Sequence, residues 1–120
     1  MQKEPTSSNK PVVVTLCGSS RFPDAFALAN MHLTMKGRIV IGLGCFGHAD
    51  FPAGAKFLTS DGDENTPEKQ HLDAMHFRKI DISDEIYVVN PGGYVGSSTR
   101  REIEYAKSQG KAVRWMFPEE

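Results

Sequence analysis

The sequence predicts a three-layer α/β domain, in which helices cover both faces of a sheet of four parallel strands in the order 2-1-3-4. Segments typical of strands alternate along the chain with segments typical of helices, which indicates a parallel sheet. The segments at 12–16 and 86–89 are apolar runs, interrupted only by Thr15, as expected of strands that are buried on both faces. Right-handed crossovers then place the first and third strands side by side, at the point where the strand order reverses.

The first half of the domain contains two strands and one helix. The apolar segment Val12–Leu16 predicts the first strand. Pro23 is typical of a first helical position, and the helical pattern that follows it ends before Gly37. Residues 38–41 form a short second strand.

The second half contains two helices and two strands after a long loop. No regular element is evident over 42–66, and a loop of that length in a small domain is usually a lid or a binding loop. The elements that follow are a helix from Pro67 to about Ser83, a strand over 86–89, a helix that ends at Gly110 and a strand over 111–117.

The length and composition of the chain are typical of a single globular domain. The chain has 120 residues, of which 39% are hydrophobic and 24% are charged. Residues 1–10 are polar and predict a disordered tail, so the single domain is expected to span 11–120. A net charge of −1 gives no electrostatic basis for binding nucleic acid or an anionic membrane. With only Cys17 and Cys45, and no apolar segment long enough to span a membrane, we expect a soluble cytoplasmic protein.

The glycine-rich stretch after the third strand is the first candidate for ligand binding. Asn90, Gly92 and Gly96 belong to a turn, and Ser97 and Ser98 are residue types that begin helices. A strand therefore leads through a glycine-rich loop to a helix N-terminus. In open α/β sheets ligands bind at such places, where free N–H groups favour anions such as phosphate.

The turn after the first strand is the second candidate. Its sequence, Cys17-Gly18-Ser19-Ser20-Arg21, offers backbone N–H groups, two hydroxyls and a guanidinium to a phosphate group. An ordinary turn whose serines cap the next helix explains the same residues equally well. Because the first and third strands are neighbours, we expect the two turns to line one crevice.

Glu102 is the acidic residue best placed for chemistry in this crevice. On a helical wheel Thr99, Ile103 and Ala106 share the buried face. Glu102 lies at the edge of that face, so its carboxylate is expected at the rim of a pocket. The segment Thr99–Glu102 also matches a capping box, in which both side chains satisfy backbone N–H groups at the helix start. From the pattern alone the capping box is the more common explanation, and a catalytic role is the alternative.

His76 lies on the apolar face of the predicted second helix, one turn from Leu72 and one turn from Ile80. A lone histidine in such a position is usually a hydrogen-bonded core residue. Proton transfer is the alternative, because burial near a carboxylate tunes an imidazole. Asp73 is another acid on the same side of the helix.

Residues 42–47 match the pattern GxGxxG directly after the second strand. A dinucleotide site requires a helix to begin there, but Pro52 interrupts the chain too soon. We therefore interpret this stretch as a substrate loop, in which Phe46 and His48 contact a base.

A metal site is not predicted. His48 and Asp50, together with His71 or His76, supply donor types that bind metals, but no spacing among them resembles a known set of metal ligands.

Taken together, these residues resemble the nucleoside 2-deoxyribosyltransferase superfamily, and within it the small 2'-deoxynucleoside 5'-phosphate N-hydrolases. The likeness covers most of residues 12–117. It rests on Cys17-Gly18-Ser19-x-Arg21 after the first strand and on Asp84 at the start of an apolar strand. It rests also on the later spacing, in which a glycine-rich turn precedes Glu102, Ala106, Gly110 and Lys111.

The resemblance implies a flavodoxin-like fold, a homodimer or larger assembly, and no metal or organic cofactor. It implies that a nucleotide or nucleoside is the substrate and that Glu102 is the nucleophile at its anomeric carbon, as in a retaining glycosidase. Water then completes hydrolysis, or a second base completes transfer. By the same likeness Ser19, Arg21 and a hydroxyl of Ser97 or Ser98 hold the 5'-phosphate.

One position departs from the hydrolases. They carry an aspartate eight residues before the acid equivalent to Asp84, and this chain has His76 there. A histidine can still protonate the leaving base or orient Glu102, but it lacks the contact of a carboxylate with the sugar. Either the substrate differs, or the domain binds nucleotides with weak or no catalysis.

A second likeness is to the lysine-decarboxylase-like phosphoribohydrolases that activate cytokinins. It rests on Cys17-Gly18-Ser19-Ser20 and on Pro91-Gly92-Gly93 followed by a hydroxyl residue and a glutamate. Those enzymes have a compact PGGxGTxxE, whereas Val95-Gly96-Ser97 lengthens the turn here. Both likenesses point to the N-glycosidic bond of a nucleotide.

Overall fold

The computed structural model describes residues 10–44 and 67–118. Most of the predicted tail and most of the loop over 42–66, including Phe46 and His48, lie outside this part of the chain. The described elements are β1 Val13–Gly18, α1 Pro23–Met35, β2 Ile39–Ile41, α2 Pro67–Asp81, β3 Glu85–Val89, α3 Ser97–Ser108 and β4 Ala112–Trp115. None of these helices is long and apolar enough to cross a membrane.

The four described strands form one parallel sheet in the order β2-β1-β3-β4, which confirms the predicted topology. The two central strands are aligned so that Cys17 of β1 is opposite Val88 of β3, which in turn is opposite Trp115 of β4. With helices on both faces, this is the architecture of a Rossmann-like three-layer fold.

The helices divide the apolar residues into two cores, one on each face of the sheet. On one face Phe26, Ala29 and Leu33 of α1 pack on the sheet beside Leu16. On the other face Ile80 of α2 and the apolar side of α3 pack on the sheet beside Cys17. Leu16 and Cys17 serve opposite cores because successive side chains of a strand point to opposite faces. This alternation directs the Cys17 thiol towards α2 and α3.

The capping box predicted over Thr99–Glu102 is wrong. Helix α3 begins at Ser97, and the residue before it, Gly96, caps the helix without a side-chain hydrogen bond. Thr99 is therefore already inside the helix, where its side chain is buried. Glu102 lies beyond the first turn and is only 8% exposed. The backbone N–H of Arg100 donates to the Gly96 carbonyl at 3.0 Å, so the first turn of the helix already closes before Glu102.

Candidate active site

The carboxyl ends of the two central strands bring the two predicted turns together. Gly18 at the end of β1 is opposite Val89 at the end of β3. Beyond them, the rings of Phe22 and Tyr94 meet edge to face with centroids 5.9 Å apart. The Arg21 guanidinium lies 4.7 Å from the centroid of the same tyrosine ring. Strand order reverses here, and ligands of open α/β sheets bind at this point.

Gly18 is required for this close approach. A Cβ atom at position 18 would lie 2.5 Å from the carbonyl oxygen of Val89 and 3.1 Å from the ring of Phe26. Such a contact with rigid backbone forces the strands to separate. The glycine predicted as part of a phosphate turn therefore has a packing role as well.

Cys17, His76 and Glu102 meet at the centre of the candidate site. They come from β1, α2 and α3, and their exposed fractions are 0%, 5% and 8%. The Sγ atom of Cys17 is 3.6 Å from Nε2 of His76, and this nitrogen is 3.9 Å from Oε1 of Glu102. Two residues predicted as catalytic and one predicted as a phosphate ligand therefore form one cluster.

His76 is a neutral imidazole whose Nε2–H group is committed to the backbone. Nε2 lies 3.0 Å from the carbonyl oxygen of Leu16, which can only accept, so Nε2 carries the proton. Burial, followed by the positive charge of Lys79, lowers the pKa of His76 to about 4, although the Leu16 hydrogen bond and Asp73 oppose the shift. His76 and Glu102 are therefore not an ion pair at neutral pH, despite their proximity.

Glu102 is a buried carboxyl group that ionises near neutrality. Burial, and then the negative charge of Asp73, raise its pKa to about 7. Three groups oppose this shift: the Cys17 thiol, which hydrogen-bonds to the carboxylate, and the cations Lys69 and Arg101. The pKa of Cys17 is raised well above its usual value, first by burial and then by the Glu102 charge. At neutral pH the thiol thus keeps its proton and donates a hydrogen bond to a carboxyl group that is about half ionised.

Two basic groups that belong to no motif of the sequence lie at the start of α3. Nζ of Lys69 is 2.7 Å from Oδ1 of Asp73 and 3.1 Å from Oγ of Ser98. Arg101 donates to the same hydroxyl at 3.2 Å and is 3.8 Å from the Asp73 carboxylate. The spacing of Lys69 and Asp73, four residues apart on one helix, is the signal that predicts their pairing. Ser98 is thus surrounded by cations near a helix N-terminus.

The remaining predicted ligands have varied surroundings. Ser19 accepts a hydrogen bond from the backbone N–H of Arg21 at 3.2 Å, and the Arg21 side chain is exposed. Asn90 is buried, and its amide exchanges two hydrogen bonds of 2.9 Å with the backbone of Phe117, so its polar atoms join the ends of β3 and β4. Gly92 has a φ of 66° in the turn after β3.

The fold and the site define a Rossmann-like α/β protein with a buried carboxyl group at the switch point of its sheet. No protein-family model, curated protein or solved structure matches this chain. The resemblance to nucleoside 2-deoxyribosyltransferases therefore stays a prediction from the motifs. Within the described residues, Cys17, His76 and Glu102 also form a group with the donor types that hold a metal ion.

Proposed function

We propose that this protein cleaves the N-glycosidic bond of a nucleoside 5'-monophosphate, with Glu102 as the nucleophile. The observation that carries the proposal is the burial of Glu102 at the switch point of the sheet, with a pKa of about 7. A carboxylate with that pKa is available at neutral pH but poorly solvated, which favours attack on an electrophilic carbon.

The proposed reaction needs one carboxylate and water. An oxygen of Glu102 forms a bond to C1' while the bond from C1' to the base nitrogen breaks, and the base leaves with the bonding electrons. The leaving base takes a proton, and a sugar ester of Glu102 remains. Water then attacks C1', loses a proton and releases the carboxylate.

His76 is proposed to orient Glu102 rather than to transfer a proton. Its pKa of about 4 makes the imidazolium scarce at neutral pH, and its Nε2–H group already donates to Leu16. The ring therefore packs beside the carboxylate, with Nε2 3.9 Å from Oε1, and the Cys17 thiol donates a hydrogen bond to the carboxylate. Protonation of the leaving base then falls to solvent or to another group.

The 5'-phosphate is proposed to bind between the two turns, at the N-terminus of α3. A helix N-terminus attracts anions, and the cations Lys69 and Arg101 lie around Ser98 at this end of the helix. Ser19 and Arg21 are proposed to contact the same phosphate from the turn after β1. We propose further that the working form is a homodimer.

The test is release of free base from a panel of nucleosides and their 5'-monophosphates, followed by chromatography, with thermal unfolding measured alongside. The proposal predicts release that requires the 5'-phosphate. Without release from any member of the panel the glycosidase proposal is wrong.

One observation favours a second candidate, a nucleotide-binding module without catalysis. His76 stands where the hydrolases have a carboxylate, and it is neutral here. In that case monophosphates raise the melting temperature and no base is released. A chain that neither releases base nor gains thermal stability contradicts both candidates.

A further inference from the structure

We propose that Cys17, His76 and Glu102 form a binding site for Zn²⁺, and that the bound ion inhibits the protein by occupying Glu102. The three side chains are buried, and their ligand atoms all lie within 4.8 Å of one another. Thiolate sulfur, imidazole nitrogen and carboxylate oxygen are the three donor types that zinc takes in proteins. The binding of zinc is independent of the proposed glycosidase activity, whereas the inhibition rests on it.

The distances between the ligand atoms fit a tetrahedral zinc site. Bonds of about 2.3 Å to sulfur and about 2.0–2.1 Å to nitrogen or oxygen place neighbouring ligand atoms about 3.3–3.5 Å apart. The Cys17 sulfur is 3.6 Å from Nε2 of His76, close to that value. Nε2 is 3.9 Å from Oε1 of Glu102, and all three ligand atoms lie within 4.8 Å of one another, so side-chain movements of about an ångström bring them to the spacing of a zinc site.

The zinc-bound site would carry no net charge, which is required of a buried ion. A thiolate from Cys17 and the carboxylate of Glu102 neutralise the two positive charges of the ion. The thiol proton, and the carboxyl proton where present, leave to solvent when the ion binds. His76 moves its proton to Nδ1, and its ring turns so that Nε2 leaves the Leu16 carbonyl oxygen, 3.0 Å away, and faces the metal instead.

Three protein ligands leave the fourth position of the ion to water. The Glu102 side chain keeps 10% of its surface exposed, which gives the ion a side of entry. Once an oxygen of Glu102 is coordinated, its lone pair is no longer free to attack C1'. Zinc and substrate therefore compete for the same carboxylate.

The test uses the complete chain, freed of metal, and Co²⁺ as a spectroscopic probe. One equivalent is expected to give a thiolate-to-cobalt charge-transfer band in the near ultraviolet and the strong visible bands of four-coordinate cobalt. Zn²⁺ is expected to displace the probe and abolish both. Absence of the charge-transfer band in the wild-type protein overturns the proposal, whatever the behaviour of the variants.

Matched variants assign the ligands. The band is expected to be lost in Cys17→Ser and retained in Cys45→Ser, which removes the other cysteine of the sequence. Glu102→Gln is expected to weaken Co²⁺ binding, whereas Glu104→Gln, at an exposed position of the same helix, is expected to leave it unchanged. A band that depends on Cys45, or that is indifferent to Glu102, overturns the assignment.

Base release with and without Zn²⁺ separates the two proposals. If zinc binds as described and the metal-free protein releases no base, the proposed function fails and the zinc site stands. If base is released and one equivalent of Zn²⁺ leaves the rate unchanged, the inhibition is wrong. Restoration of the rate by a chelator is the expected result.

Discussion

Glu102 determines how the proposed activity depends on pH. Its pKa of about 7 in the folded protein arises from burial and from Asp73. Only the ionised carboxylate can attack carbon, so kcat/KM is expected to fall about tenfold for each pH unit below 7. A pH–rate profile measures this. A profile that is flat from pH 5 to pH 8 would contradict the assignment of Glu102.

The same carboxyl group lowers stability at alkaline pH. Its pKa is raised from an ordinary 4.5 to about 7, so its favourable contribution is present below pH 4.5 and is lost as the pH rises through 7. Glu102→Gln removes the buried charge and is expected to stabilise the protein by up to about 3 kcal/mol at pH 8.5, with little effect near pH 4.5. Urea unfolding at both pH values tests this.

The exposed Glu104 provides the control for that experiment. Glu104→Gln is expected to change the free energy of unfolding by the same small amount at both pH values, because its carboxylate is solvated. If Glu102→Gln behaves like Glu104→Gln, the carboxyl group is not buried as described.

The sequence identifies Cys17, His76 and Glu102 as candidate site residues, but it does not predict that their side chains contact one another. Cys17 is marked by the motif after the first strand, His76 by its position on an apolar helical face, and Glu102 by the spacing of residues in the last helix. Their contact spans 59 residues between the cysteine and the histidine, and it depends on the register of the strands. A pattern read along one chain does not contain that register.

At the scale of the secondary-structure elements, Gly18 allows β1 and β3 to approach each other closely at their carboxyl ends. Gly18→Ala places a methyl group 2.5 Å from the Val89 carbonyl oxygen, and the expected cost is about 2–3 kcal/mol of stability. Gly42→Ala is the matched control, because a Cβ atom there meets nothing within 4 Å and is expected to cost less than about 0.5 kcal/mol. Thermal unfolding of both variants compares them. Equal stability of the two variants would show that the strands do not approach as described.

Element order and strand order were predictable because the apolar strands and the helix boundary residues are both explicit in the sequence. The start of α3 was not, since Ser97, Ser98 and Thr99 are all residue types that cap helices. The first helical hydrogen bond runs from the Arg100 N–H to the Gly96 carbonyl, so the helix begins at Ser97 and none of the three is the cap. Met35 follows the helical pattern of α1 but is 82% exposed at the last residue of the helix.

At the scale of the whole molecule, the homodimer stays a prediction. Leu28 and Met31 lie one turn apart on α1, Met35 follows one turn later, and all three are more than half exposed. Such a stripe is the surface we expect a second copy to cover. Met31→Lys is therefore expected to shift the sedimentation coefficient from dimer to monomer. A wild-type protein that sediments as a monomer at all concentrations would contradict the dimer.

The central claim is that the Glu102 carboxylate is the nucleophile. Its most direct test is the rate of base release by Glu102→Gln beside Glu104→Gln, with the monophosphate that the wild type cleaves fastest. We expect Glu102→Gln to lose about a thousandfold or more in rate while it remains folded, and Glu104→Gln to keep the wild-type rate. Base release by a folded Glu102→Gln protein at the wild-type rate would contradict the claim.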